Sequence, residues 1–166
     1  MDMMPIRNVF NEWHAANTSK KVRAVIAANA KAGKMMTPYC PYGYVKSDDE
    51  MRTPIIDPYA AGIVRRIFEM YASGMKPLQI ATVLNEEGVL TPFDYYYKRI
   101  GKPNPYNHSH LWSGRNLENI LKNPIYIGTL AQLRTTTVSY KNHKRIDRDE
   151  SEWAVSENNH EAIISK

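Results

Sequence analysis

Two amphipathic helical patterns, separated by a long polar insertion, constrain this chain more than any other sequence feature. Over residues 77–87 apolar side chains recur at three- and four-residue steps, and Gly88 follows the last of them. A second pattern begins after Ser113, a good N-cap residue, and stops before Pro124. We therefore predict two short helices, each with one apolar side turned toward a core.

The outward positions of the second helix carry Arg115, Asn116, Asn119 and Lys122. Such a face can enter a DNA major groove, because Arg pairs with guanine, Asn pairs with adenine and Lys contacts phosphate. A solvated face with no partner has the same pattern, since polar outer faces are usual for surface helices. The residues alone leave both interpretations open.

Composition sets wider bounds on the class of protein. The chain has 166 residues and a net charge of +5, which is a modest tilt toward polyanionic partners. Cys40 is its single cysteine, which excludes an intrachain disulfide and a multi-cysteine zinc site and fits a reducing compartment. No run approaches the roughly 18 apolar residues of a membrane span. We expect a cytoplasmic protein with no membrane partner.

The N-terminal part, through about residue 33, is predicted to form one long helix that Thr18-Ser19 can bend without ending it. Its second half is basic, with no acidic residue between Asn17 and Cys40. A helix of one charge sign suits lying along a phosphate backbone, although a helix folded against its own core is the alternative. The basic residues are Lys20, Lys21, Arg23, Lys31 and Lys34.

Two further features flank that basic half. Phe10 and Trp13 stand exposed unless something packs on them, which indicates a partner domain or subunit. After the helix, Pro38 and Pro41 favour an extended linker over residues 35–45. That linker could track a minor groove or act as a rigid spacer.

The insertion over residues 89–110 is polar, aromatic and longer than usual helix–helix connections. Lys98, Arg99 and Lys102 alternate with tyrosines there, which favours a loop that contacts the DNA backbone. His108 and His110 lie in the same loop, where only a weak metal contact is conceivable. We predict no metal site and no cofactor.

The segment after the second helix is predicted to be mainly β-structure. Residues 125–130 have the pattern of a strand, and residues 135–155 could form a hairpin or wing with a basic tip. Acidic residues nearby partly offset the positive charge of that tip. We therefore favour a mobile tip over a tip that contacts DNA. The tip carries Lys141, Lys144, Arg145 and Arg148.

The sequence contains no motif for chemistry. It has no Gly-rich phosphate loop, nucleophile elbow or HExxH-type motif, so we assign no catalytic residue. The predicted fold is α+β and mostly helical: a long N-terminal helix, then a small mixed domain with short strands. Its core is predicted to be of helix-turn-helix or winged-helix type.

A series of short sequence motifs lies in order along nearly the whole chain. They are the segments 11–23 and 41–44, the pairs Asp57-Pro58, Ile67-Phe68 and Thr91-Pro92, the pattern Ile80-Ala81-x-x-Leu84-Asn85-x-x-Gly88, Trp112, the pattern Ile120-Leu121-x-Asn123-Pro124-x-Tyr126-x-Gly128, Trp153, and the segment 160–165. Together these motifs resemble those of the large serine recombinases, the serine integrases and transposon resolvases of phages and mobile elements.

The resemblance implies that residues 1–34 lead from a catalytic domain, 35–45 form a linker, and 46–166 form the recombinase DNA-binding domain, truncated at its C-terminal end. It implies attachment-site DNA, the protein's own catalytic domain and other recombinase subunits as partners. The family's serine nucleophile lies before the long helix, so we expect this segment alone to be inactive. The alternatives are a protein–protein interaction module and a stand-alone helix-turn-helix transcription regulator.

Overall fold

The computed structural model describes residues 4–106, 110–139 and 141–165, and within these segments the chain is α+β, as predicted. The α-helices are α1 (Met4–Lys31), α2 (Pro58–Ala72), α3 (Pro77–Glu86), α4 (Pro92–Arg99) and α5 (Gly114–Leu121). The strands are β1 (Tyr44–Lys46), β2 (Pro54–Ile56), β3 (Leu130–Gln132), β4 (Thr135–Thr137), β5 (Arg145–Asp147) and β6 (Ala154–Ser156). No helix in these segments is long and apolar enough to cross a membrane.

The chain divides into two compact units. The first unit comprises Met1–Pro38, Ser47–Thr53 and Thr129–His160, and the second comprises Tyr39–Lys46, Pro54–Gly128 and Glu161–Lys166. The strands pair as three antiparallel two-stranded sheets, β1 with β2, β3 with β6 and β4 with β5. The division of the chain into residues 1–34, 35–45 and 46–166 stays a prediction.

In the first unit, α1 continues through Thr18-Ser19 without a break, as the absence of proline predicted. Its C-terminal end is held by a buried glutamine. The Gln132 side chain donates to the Lys34 carbonyl and accepts from the Met36 backbone N–H, both at 2.8 Å. Ala30 at the end of the helix is buried, so the core of this unit lies where α1 ends.

The predicted hairpin is present as β4 and β5, with Thr136 opposite Ile146. Two side-chain contacts join it to α1 within the first unit. Arg23 donates from Nη2 to Thr137 Oγ1 at 2.8 Å, and Lys141 Nζ lies 2.7 Å from Glu12 Oε1. Both contacts are exposed, so each contributes about 1 kcal/mol or less.

In the second unit, α2, α3 and α5 form the core because their apolar periodicity places aliphatic side chains on one face of each helix. Val64, Ile67, Ile80, Leu84 and Leu117 are all completely buried there. On the outside of this core, Arg66 of α2 forms an ion pair with Glu87 at the end of α3.

A tyrosine cluster closes the other side of the second unit. The Tyr126 hydroxyl donates to the Tyr42 carbonyl at 2.9 Å, and the Tyr44 hydroxyl donates to the Glu161 carbonyl at 2.9 Å. Burial raises the pKa of Tyr44 to about 12, so its hydroxyl stays a donor. The buried Tyr42 hydroxyl has no hydrogen-bond partner among the described residues.

Two local predictions were wrong. Residues 125–130 were expected to form a strand, but Pro124–Ile127 form a 3-10 helix that ends at Gly128, and the strand begins only at Leu130. Asn123 caps that helix, since its Oδ1 accepts from the Ile125 N–H at 3.2 Å. The insertion was expected to be a loop, but it contains α4.

The tyrosine cluster gives a matched pair of variants. Tyr42→Phe removes a buried hydroxyl that lacks a partner, so we expect the free energy of unfolding to stay within about 0.5 kcal/mol or to rise. Tyr126→Phe removes a made hydrogen bond and should cost about 1 kcal/mol. Urea unfolding of both variants measures this. A larger loss in Tyr42→Phe than in Tyr126→Phe would contradict the assignment of hydrogen bonds.

Candidate nucleic-acid interface

The second predicted helix, α5, is fixed on α3 by a polar clamp next to the apolar core. Asn85 of α3 donates from Nδ2 to the Trp112 carbonyl at 3.0 Å and accepts from the Trp112 N–H at 2.8 Å. The Trp112 indole N–H donates to the Val89 carbonyl at 2.9 Å. Ser113 then caps α5, its Oγ accepting from the Asn116 N–H. The start of the helix therefore has one defined position on α3.

The outer face of α5 carries the predicted groove contacts in an accessible position. Arg115 and Asn119 are exposed, whereas Asn116 is half-buried. Lys122 is exposed too, and its Nζ lies 3.7 Å from Glu118 Oε2, one helical turn earlier. A surface pair of this kind contributes at most about 0.5 kcal/mol, so a phosphate can compete for the lysine.

The basic residues of α4 and the following turn differ in what they face. Arg99 Nη1 lies 4.0 Å from Asp57 Oδ2, and that carboxylate also accepts from the Tyr95 hydroxyl at 2.9 Å. Arg99 is therefore partly committed to a buried carboxylate inside the second unit. Lys98 and Lys102 are exposed and form no ion pair among the described residues. Of the three basic residues predicted to contact DNA here, Lys98 and Lys102 are therefore the two that no described carboxylate holds.

Asp94 of α4 organises the end of the insertion. Its carboxylate accepts from Thr91 Oγ1 at 2.6 Å and from Asn104 Nδ2 at 2.9 Å, and it lies 2.7 Å from His110 Nδ1. Burial alone would raise the pKa of Asp94, but these hydrogen bonds hold it below its usual range. His108, the other histidine of this loop, lies outside the described residues.

The basic residues of the first unit lie on or just beyond α1. Lys20, Lys21 and Lys31 are exposed, and Lys34 is half-buried. Lys20 and Lys31 are separated by three helical turns, so they share a face about 16 Å apart. Arg23 is exposed but already donates to the hairpin.

A concave surface that sequence reasoning missed lies beside α5 in the second unit. This amide pocket has a volume of about 310 Å³ and is lined by Pro41, Tyr42, Thr91, Pro92, Phe93, Asn116, Asn119, Ile120, Asn123 and Tyr126. Asn116 and Asn119 line it from α5, and Asn123 lines it from just beyond the helix, where it caps the following 3-10 helix; its place four residues after Asn119 could have indicated it. The aromatic lining comes from distant positions and gave no such signal.

The described residues contain no group of three or more histidine, cysteine or carboxylate side chains that could hold a metal ion. Burial raises the pKa of the Cys40 thiol to about 12, which keeps it neutral and unreactive near neutral pH.

Comparison with known proteins agrees with the resemblance predicted from the sequence. A protein-family model described as Recombinase matches residues 58–166, which include α2 through β6. The comparisons with curated proteins and with solved structures found no match.

The Asp94 cluster predicts a pH dependence of stability. A carboxyl whose pKa is lowered by folding contributes stability above its unfolded pKa of about 4, and this contribution is lost as the pH falls through the folded value. We therefore expect Asp94→Asn to lower the free energy of unfolding by about 1–3 kcal/mol at pH 7. The difference from the unmodified chain should shrink below about pH 4.

Thermal unfolding of both proteins from pH 3 to pH 8 tests this expectation. Asp48→Asn, at an exposed position, is the matched control and should change neither stability nor its pH dependence. A stability difference for Asp94→Asn that stays constant down to pH 3 would contradict the role of the ionised carboxylate.

Proposed function

Because the chain belongs to the Recombinase family, we propose that it binds double-stranded DNA at the recombination site of a site-specific serine recombinase, such as a serine integrase. In this role it provides affinity for the DNA and recognition of its sequence during DNA integration, excision or transposition. We assign the chemistry of strand exchange to no residue of this chain.

The arrangement of α5 on α3 supports this proposal most directly. Leu117 and Ile120 anchor the helix in the core, and Arg115 and Asn119 face away from it. A helix presented in this way can lie in a major groove, where these side chains match the edges of guanine and adenine. We infer that α3 and α5 act as a helix-turn-helix-type pair with α4 inserted in the connection. The winged-helix part of the prediction remains a prediction.

We propose phosphate contacts for the basic residues, which carry no sequence information but set affinity. In the second unit, the exposure of Lys98, Lys102 and Lys122 supports this role, whereas the Asp57 contact of Arg99 makes it the weaker candidate. In the first unit the candidates are Lys20, Lys21, Arg23, Lys31 and Lys34.

An aromatic cluster on α1 supports recombinase subunits, or the protein's own catalytic domain, as further partners. The Phe10 and Trp13 side chains are 59% and 58% exposed, and their ring centroids lie 6.2 Å apart. His14 packs edge-on against Phe10 at 4.4 Å. Large exposed rings clustered on one helix are typical of a protein contact surface.

The recognition role of α5 predicts a difference between two neighbouring variants. Arg115→Ala should weaken binding to the specific site by about 1–3 kcal/mol and leave binding to random duplex almost unchanged. Lys122→Ala, the control on the same face, should weaken both duplexes alike. Fluorescence anisotropy with labelled duplexes measures both. Equal losses on the two duplexes for Arg115→Ala would remove the recognition assignment.

The phosphate role of α1 predicts a change in salt dependence. Each of Lys20→Ala and Lys21→Ala should weaken specific and random DNA equally and reduce the slope of log K against log salt by about 1. Lys76→Ala, an exposed lysine outside the proposed interface, is the control and should leave the slope unchanged. If neither the unmodified chain nor these variants bind any DNA duplex, the chain is a protein–protein interaction module instead.

A further inference from the structure

Five aromatic rings, three exposed and two half-buried, form a cluster around α4 in the second unit. This aromatic patch consists of Tyr39, Phe93, Tyr96, Tyr97 and Tyr106. Its rings meet edge to face, with centroid distances of 5.1 Å between Tyr39 and Tyr96, 5.8 Å between Phe93 and Tyr106, and 6.4 Å between Tyr97 and Tyr106. Tyr39, Phe93 and Tyr106 are each between 43% and 49% exposed. Nearly half of the surface of each of these three rings is therefore accessible to solvent, and clustered exposed rings are typical of a contact surface.

The aromatic patch and the amide pocket are continuous, because Phe93 belongs to both. Part of the pocket wall belongs to the packed core, since Tyr42, Thr91, Ile120 and Tyr126 are all buried. Its volume of about 310 Å³ is at the lower end of the range for ligand sites, which suits a small flat group more than a large ligand. The combined surface is therefore a cavity for one planar group with a platform of rings beside it.

Two of the three asparagine amides that line the pocket keep a hydrogen-bond donor available. Asn116 Oδ1 accepts from Ser113 Oγ at 2.7 Å, and Asn123 Oδ1 accepts from the Ile125 N–H at 3.2 Å. These bonds occupy the oxygen of each amide and leave the Nδ2 group, which makes no hydrogen bond among the described residues. Amide N–H groups over an apolar floor match the carbonyl oxygens and ring nitrogens at the edge of a nucleobase.

The charge beside the patch also favours a nucleic acid. Lys98 follows Tyr97 directly, and the backbone N–H of Lys102 donates to the Tyr97 carbonyl at 3.0 Å. Both lysines are exposed and form no ion pair among the described residues. The one carboxylate of α4, Asp94, is half-buried and already accepts from Thr91 and Asn104. The patch therefore lies beside uncompensated positive charge.

We propose that the amide pocket and the aromatic patch form a binding site for unpaired bases of single-stranded DNA. One base enters the pocket against the asparagine amides, and the neighbouring bases stack on Phe93, Tyr39 and Tyr106. Lys98 and Lys102 contact the phosphates. Paired bases do not fit this role, because in a duplex both faces of each base are covered by its neighbours.

This site shares Asn116, Asn119, Lys98 and Lys102 with the proposed duplex contacts, whereas the stacking rings Phe93, Tyr39 and Tyr106 belong to it alone. Because these four side chains are shared, a single strand and a duplex should compete for the second unit. The ligand of this site is DNA whose strands have separated locally, which differs from the intact duplex of a recombination site.

The test uses the whole chain and three labelled probes: a thymidine 12-mer, an abasic 12-mer with the same phosphates, and a random duplex. We expect the thymidine oligomer to bind more tightly than the abasic one. Phe93→Ala should weaken binding to the thymidine oligomer by about 5- to 150-fold, the usual loss for one stacked base, and change duplex binding by less than about two-fold. Tyr106→Ala should act in the same direction.

Arg115→Ala is the matched control, because it should leave the thymidine oligomer within about two-fold while weakening specific duplex binding. Circular dichroism establishes that each variant is folded. Equal affinity for the thymidine and abasic oligomers would overturn the proposal, as would unchanged affinity in Phe93→Ala. Failure to bind either oligomer would also overturn it and would leave the patch to a protein partner. Loss of specific duplex recognition with retained single-strand binding would contradict only the proposed function.

Discussion

The packing of α5 against α3 is the interaction on which the position of the proposed DNA interface depends. Leu84 and Leu117 are completely buried in the core that these helices form, and Asn85 makes two hydrogen bonds to the backbone of Trp112 immediately before α5. These contacts fix both the axial position and the rotation of α5. With the rotation fixed, Arg115 must face solvent, and the amide side chains must line one side of the helix.

Capping by short polar side chains gives the second unit its other fixed points. Asp57 caps α2 and also receives the Tyr95 hydroxyl, so one buried carboxylate joins two helices. In the same way, the Asp94 carboxylate contacts Asn104 and His110 near the end of the insertion. Buried carboxylates are stable only when hydrogen-bonded, so these clusters hold a polar, aromatic segment in one conformation without a large apolar core.

The sequence predicted α1, α3 and α5, because each combines helical periodicity with a clear end signal. It did not predict α4, whose tyrosines are weak helix formers, although Thr91-Pro92 with Asp94 is a readable start signal. The contacts of Arg23 and Arg99 could not be predicted either. Each joins residues far apart in sequence, and only the fold brings Thr137 or Asp57 within reach.

Selection of duplexes from a randomised DNA pool tests the central claim, that this chain recognises a DNA sequence through α5, most directly. We expect one enriched motif, bound about 10³-fold or more tightly than unselected duplex, with an affinity that falls steeply as salt increases. Repeating the selection with Arg115→Ala should relax the motif at one position. Recovery of no motif, with equal affinity for all duplexes, would contradict the claim.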